Sequence, residues 1–173
     1  MPLNTNSLYN IRFVPNGVTN LDFVGGMYAT APSKVGESVQ AEALGPSATG
    51  WQAWQVENIG GDNYFISTLA PLVFDTPTFV QGWQHNKEVC QGEPVIYGAN
   101  KLSEFAITPA DLPDTYHILV GSGRSEIGAQ YAVAEGDTND LVINSYPVIA
   151  DLEKLLPRWQ FIPVEPSQAA PTS

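Results

Sequence analysis

The chain has 173 residues and a formal charge of -11, with 18 acidic side chains against 7 basic ones. That balance argues against nucleic acid and anionic membranes as partners, because both demand a basic footprint, and leaves solubility as the use of the charge. A length of this kind predicts one domain, and the 15 glycines and 14 prolines are scattered as turn punctuation instead of gathered into a linker.

From the start, Met1 to Ser7 is polar, without the cationic and apolar stretches of a signal region, and no apolar run approaches membrane-spanning length. A cytoplasmic location is the expectation. The first strand is read at Tyr9-Asn10-Ile11, where apolar residues flank a polar one with the period of two that marks a half-buried strand. A loop follows, Asn16 to Gly26, ending in the paired glycines Gly25 and Gly26 ahead of Met27-Tyr28-Ala29. Two glycines let backbone approach another surface closely, although a bulge or barrel corner is the ordinary use of such a pair. Trp54-Gln55-Val56 then alternates into a turn over 58–63 and the strand Tyr64-Phe65-Ile66. The same sequence of events recurs as Phe105-Ala106-Ile107, a turn over 109–115 and Tyr116-His117-Ile118. Near the end, Leu152, Leu155 and Leu156 have helical spacing over a turn or two, stopped by Pro157, and Trp159-Gln160-Phe161 closes the series. Residues 166–173, small and polar with two prolines, read as a flexible tail beyond a single domain of residues 1–165.

The tyrosine strands and the aromatic strands thus each occur three times at nearly equal intervals. In two repeats an aromatic strand turns directly into a tyrosine strand; the third such pair must join the C-terminal strand to the N-terminal one. Units too small to bury their own apolar face, closed first to last, predict an all-β fold, a β-trefoil of three pseudo-repeats and about twelve strands.

Catalytic chemistry is nearly absent. Cys90 and His85 lie close enough in sequence to suggest a nucleophile and base, but a lone cysteine is more commonly a buried or inert thiol. His117 falls at the alternate position of its strand and is expected to point outward from the barrel wall. Two histidines and one cysteine do not make a tetrahedral metal site. Gly121-Ser122-Gly123-Arg124 lacks the rest of a phosphate-binding pattern and reads as a turn, and Asp111 and Asp114 read as turn carboxylates. No catalytic residue, metal or cofactor is expected, and the chain is read as a non-enzyme.

Joint order of several short motifs carries more. Gly25-Gly26-Met27-Tyr28-Ala29-Thr30, Ala41-Glu42-Ala43-Leu44-Gly45-Pro46, Tyr146-Pro147-Val148-Ile149 and Pro157-Arg158-Trp159 together resemble the mycocypins, the fungal clitocypin and macrocypin family of cysteine-protease inhibitors. The resemblance runs from about Tyr9 to Val164 and is nearer the macrocypin side. It implies a β-trefoil monomer that inhibits papain-like, cathepsin-like cysteine proteases reversibly and without a covalent bond. Two loops, 16–26 and 44–50, would wedge into the active-site cleft. The residues it places against the protease are Phe23, Val24, Gly25 and Gly26 from the first loop and Leu44, Gly45, Pro46 and Ser47 from the second. Family members that inhibit legumain present an asparagine in a further loop, where this chain has Phe74-Asp75-Thr76-Pro77. Asp75 in place of the neutral amide implies little legumain inhibition at neutral pH and a weak effect at about pH 4 to 5, where an aspartate begins to be protonated. Residues 69–78 hold no Lys or Arg, so the trypsin-inhibiting variant of this loop is not expected.

Two alternatives remain at this level. A carbohydrate-binding trefoil resembling the ricin-B lectins would use Gln-x-Trp in each repeat; Gln52-Ala53-Trp54 fits, but Ser103-Glu104-Phe105 and Pro157-Arg158-Trp159 lack the glutamine, and Gln81-Gly82-Trp83 is out of phase. A serine-protease inhibitor acting through Arg124 or Lys87 is the other.

Overall fold

A computed structural model describes residues 3–5, 7–22, 24–45, 51–68, 80–120 and 128–164. The elements are β1 (Ser7–Val14), β2 (Met27–Thr30), β3 (Gln40–Ala43), β4 (Trp54–Gly60), β5 (Asn63–Thr68), β6 (Gln81–Gln84), β7 (Glu93–Pro94), β8 (Ile96–Ala99), β9 (Phe105–Pro109), β10 (Thr115–Val120), β11 (Ala129–Glu135), β12 (Leu141–Pro147), the single-turn helix α1 (Leu152–Leu155) and β13 (Arg158–Pro163). The tail over 166–173 lies outside the described residues.

Strands β1, β4, β5, β9, β10 and β13 close into a barrel through antiparallel pairings only. The register repeats in all three units. Within the hairpins, Val56 faces Ile66 and Ile107 faces Ile118; across the chain ends, Phe161 faces Ile11. Between units, Tyr9 faces Trp54, Tyr64 faces Phe105 and Tyr116 faces Trp159. Alternation explains why these registers are held: slipping any strand by one residue would turn Ile11, Ile66 or Ile118, each wholly buried, out to solvent. The sequence repeat therefore folds as a β-trefoil, with the first and last strands supplying the third hairpin.

The other strands form a cap around the threefold axis. There the N–H of Val39 donates to Val95 O, Val95 N–H to Leu141 O and Leu141 N–H to Val39 O, each 2.8 Å, so three buried residues complete a closed ring of hydrogen bonds. This ring explains the strand count. Val95 leaves the pairing of β7 with β12 before β8 pairs with β6, which divides one trefoil strand in two and makes thirteen strands of an expected twelve.

Burial adds to one expectation. His117 stands on the outer side of β10 yet is only 3% exposed, because the chain at Pro157 covers it and places a carbonyl 2.9 Å from Nδ1. Glu135, at the end of β11, is held above the ordinary glutamate range because partial burial disfavours its charged form. A raised carboxyl pKa means that the folded state binds its proton more readily than the unfolded state. The resulting penalty is present at neutral pH and disappears as pH falls below the unfolded pKa. Glu135→Gln should accordingly raise the melting temperature at pH 7 and change it little at pH 3, which melts at the two pH values would check.

Candidate functional site

Odd-numbered Tyr9, Ile11 and Phe13 of β1 face the core, which leaves Asn10, Arg12 and Val14 on its outer side. That outer side carries the loop between β1 and β2. After a turn in which Val18 N–H donates to Pro15 O, Asn20 Oδ1 accepts the Asp22 N–H at 2.9 Å, and the chain enters β2 through Gly25 and Gly26 at φ of 88° and 111°. A Cβ at Gly25 would meet nothing within 4 Å, so glycine is required there by backbone conformation and not by crowding. Val24, just before the pair, is fully exposed.

Two buried arginines on adjacent strands hold this loop from beneath. Arg12 donates from Nη2 to Leu21 O at 2.9 Å, from Nη1 to Gly25 O at 3.2 Å and from Nε to Gln160 Oε1 at 2.9 Å. Arg158, opposite Val14 in the β1–β13 register, donates from Nη2 to Pro15 O at 3.0 Å and Val18 O at 2.9 Å, while Nη1 bridges both carboxylate oxygens of Asp111. A guanidinium with several fixed donors suits this task better than an ammonium, since it satisfies several loop carbonyls from one rigid plane. Each end of the loop is thus tied to the barrel, and the exposed Val24 lies between the ties at Leu21 and Gly25.

The second loop is brought alongside by strand pairing. Met27 faces Ala43 in the β2–β3 register, so Gly26 at the entry to β2 and Leu44 at the exit of β3 emerge side by side. Leu44 is half exposed. Gln52, nearly fully buried, fixes the base of this loop: its Oε1 accepts the Gly45 N–H at 3.2 Å, and its Nε2 donates to Ala43 O and Thr30 Oγ1. Asn10 completes the link by donating from Nδ2 to Gln52 O at 2.7 Å. Gln52-Ala53-Trp54 is thereby built into the framework, with the Trp54 indole donating to Ala29 O at 2.8 Å, and its glutamine is fully engaged inside the protein. Phe23, Pro46 and Ser47 lie outside the described residues, as do Phe74, Asp75, Thr76 and Pro77 of the further loop and Arg124.

Several other polar residues make contacts within the fold. Glu93 accepts the backbone N–H groups of Asn86 and Cys90, Cys90 is exposed instead of buried, and His85 Nδ1 lies 2.6 Å from Asn86 O. Asp114 adopts a left-handed conformation in its turn and accepts the Phe161 N–H, and Asp111 pairs with Arg158. Neither loop of the edge contains His, Cys, Lys or Arg. What the edge offers is apolar side chains and glycine backbone on a fixed base, a surface suited to occluding a cleft. Arg12, Arg158 and Gln52 were not singled out as site residues from the sequence. A charged side chain between the apolar Ile11 and Phe13 of a strand is the signal that could have found Arg12.

The architecture is that of a β-trefoil with two neighbouring loops presented from one edge. Among solved structures it is similar to the designed threefold-symmetric protein ThreeFoil, at a TM-score of 0.55 and 12% identity over 91% of this chain and 99% of that one, a likeness of fold alone. The family model for the peptidase inhibitor clitocypin matches residues 7–161, and the chain belongs to that family. No match was found among curated proteins. No helix among the described residues is long and apolar enough to cross a membrane.

Proposed function

We propose that this protein inhibits papain-like cysteine proteases reversibly, by seating the 16–26 and 44–50 loops across the active-site cleft. The observation that supports this reading best is the pairing of Met27 with Ala43, which sets Gly26 beside Leu44 and makes one edge of the two loops. Glycine backbone at Gly25 and Gly26 can lie close over a catalytic thiol, where a side chain would hold the two chains apart, while Val24 and Leu44 are free to enter apolar subsites. Inhibition follows from occlusion and needs no covalent step. Because Arg12, Arg158 and Gln52 already order the loop bases, little conformational entropy is lost on docking. Asp75 in place of the family asparagine makes legumain a poor target at neutral pH and a weak one in acid. The protein acts as a monomer in the cytoplasm under this proposal.

Residual papain activity against a small peptide substrate, measured as the protein is titrated in, tests the reading. Complete inhibition at stoichiometric protein is expected, and Gly25→Trp/Gly26→Trp should abolish it while circular dichroism stays unchanged. Full papain activity at micromolar wild-type protein would overturn the proposal.

A further inference from the structure

Beside the two-loop edge, the β2–β3 hairpin and Trp51 enclose an open depression of about 510 Å³. Its walls include Glu37, Gln40, Glu42 and the half-exposed Trp51, and Thr30 and Gln52 form its floor. Ala43 and Gly45 also line it, so the depression is continuous with the start of the second loop. Strand alternation directs Gln40 and Glu42 to this side, because Val39 and Ala41, which alternate with them, are fully buried in the core. Trp51 is tied in place by its carbonyl, which accepts the Ala31 N–H at 2.7 Å.

Hydrogen-bond accounting gives the depression a chemical preference. The Gln52 amide is engaged on both its nitrogen and its oxygen, Thr30 Oγ1 donates to Tyr28 O, and Gln40 Nε2 donates to Ser38 O. Apart from the Ser33 hydroxyl, the second N–H of the Gln40 amide and the Trp51 indole, the side-chain donors of the lining are therefore spent within the protein. By contrast, the carboxylates of Glu37 and Glu42 have no hydrogen-bond or ion-pair partner among the described residues. Two free carboxylates beside an exposed indole suit a ligand that only donates and carries positive charge. A neutral sugar, whose hydroxyls both donate and accept, is served less well.

We propose that this depression receives an arginine or lysine side chain from the surface of the protease held by the two loops. This rests on the inhibitory reading above and adds a requirement on the partner: a basic residue beside its cleft. The cation would lie against Trp51 with its N–H groups toward Glu37 and Glu42. Contacts of this type at the rim of an interface act mainly on association rate and salt dependence.

Two measurements decide it. In the first, N-acetyl-arginine amide is titrated at low salt into 15N-labelled protein, with the Trp51 indole resonance assigned by its loss in Trp51→Phe. The uncharged N-acetyl-citrulline amide and a panel of neutral mono- and disaccharides serve as parallel probes. A saturable shift is expected with the arginine probe alone, at least about fivefold weaker in Glu37→Gln/Glu42→Gln and lost at about 0.5 M salt, where screening is strong. A shift with sugars and none with arginine, or no shift at all, overturns the proposal. In the second, Glu37→Gln/Glu42→Gln should inhibit papain roughly three- to tenfold less well at low salt, with the difference closing as salt rises. Unchanged inhibition would remove the depression from the interface. Should the wild-type protein fail to inhibit, the inhibitory reading falls by itself and the arginine titration alone decides whether the depression is a cation site.

Discussion

Arg12→Ala is expected to lower the unfolding free energy by about 3 kcal/mol, the scale for removing a buried charged donor and stranding its acceptors. It should also weaken protease inhibition by an order of magnitude or more. Arg12 is 6% exposed and reaches Leu21 O, Gly25 O and Gln160 Oε1 from a single guanidinium. Without it the two loop carbonyls lose their charged donor and must find water, and the 19–26 stretch loses its tie to the barrel. The stability loss should appear as a fall of about 6–12 °C in melting temperature for a chain of this length. The loss of inhibition has a separate origin, since the freed loop must be ordered again on docking at about 1 kcal/mol or more per residue fixed. Arg12→Lys separates the two causes: it keeps the charge but loses the planar set of donors, so inhibition should remain impaired. Parallel melting and papain-inhibition curves for the two variants would check this. A variant that melts early yet inhibits as well as the wild type would show that the loop orders itself without Arg12. Arg158→Ala should act on the first half of the same loop through Pro15 O and Val18 O, and the two arginine variants should not be additive because they hold one segment.

How much of this could be read before the fold was in view depended on whether a residue's environment is local. The apolar-polar alternation at Tyr9, Tyr64 and Tyr116, with its partner aromatics, is local. It was sufficient for the trefoil and for joining the chain ends, both of which the registers bear out. α1 was equally legible, because Pro157 stops it at a known place. The family was legible from short motifs in a matching order, and the matched family model agrees. Non-local contacts were not legible. The ring of Val39, Val95 and Leu141 depends on three segments meeting at an axis, and nothing in their flanking residues repeats. The burial of His117 depends on the path of the chain at Pro157, so alternation gave the side of the strand but not the burial. Arg12 and Arg158 bond to backbone carbonyls, which carry no sequence signature at the acceptor end. Trp83, set aside as an out-of-phase Gln-x-Trp, is a core residue whose role becomes clear only from the threefold register.

That role leads to a second large expected effect. The register pairs Arg12 with Tyr28, Ser67 with Gly82 and Leu119 with Ala132, so the next residues, Ala29, Trp83 and Val133, are equivalent in the three units. In the first and third units a small residue stands there, and its carbonyl accepts the indole N–H of Trp54 or Trp159 at 2.8 Å. The second unit reverses the sizes. Phe105 stands where the other units have tryptophan, and Trp83 fills the space, its ring centroid 5.8 Å from Phe105 and 5.5 Å from Trp54. The exchange leaves the Trp83 Nε1 buried without a hydrogen-bond partner among the described residues. Trp83→Val alone should open a cavity and cost about 3–5 kcal/mol, and Phe105→Trp alone should overpack the same space at about 1–3 kcal/mol. Together they should restore the arrangement of the other two units, with the new indole donating to the carbonyl of residue 83 and no buried N–H left over. The double variant is therefore expected to be more stable than the sum of the single changes by about 1–3 kcal/mol. Urea unfolding of the four proteins would measure this coupling; strictly additive free energies would mean that the second unit is packed around Trp83 in a way the pseudo-symmetry does not describe.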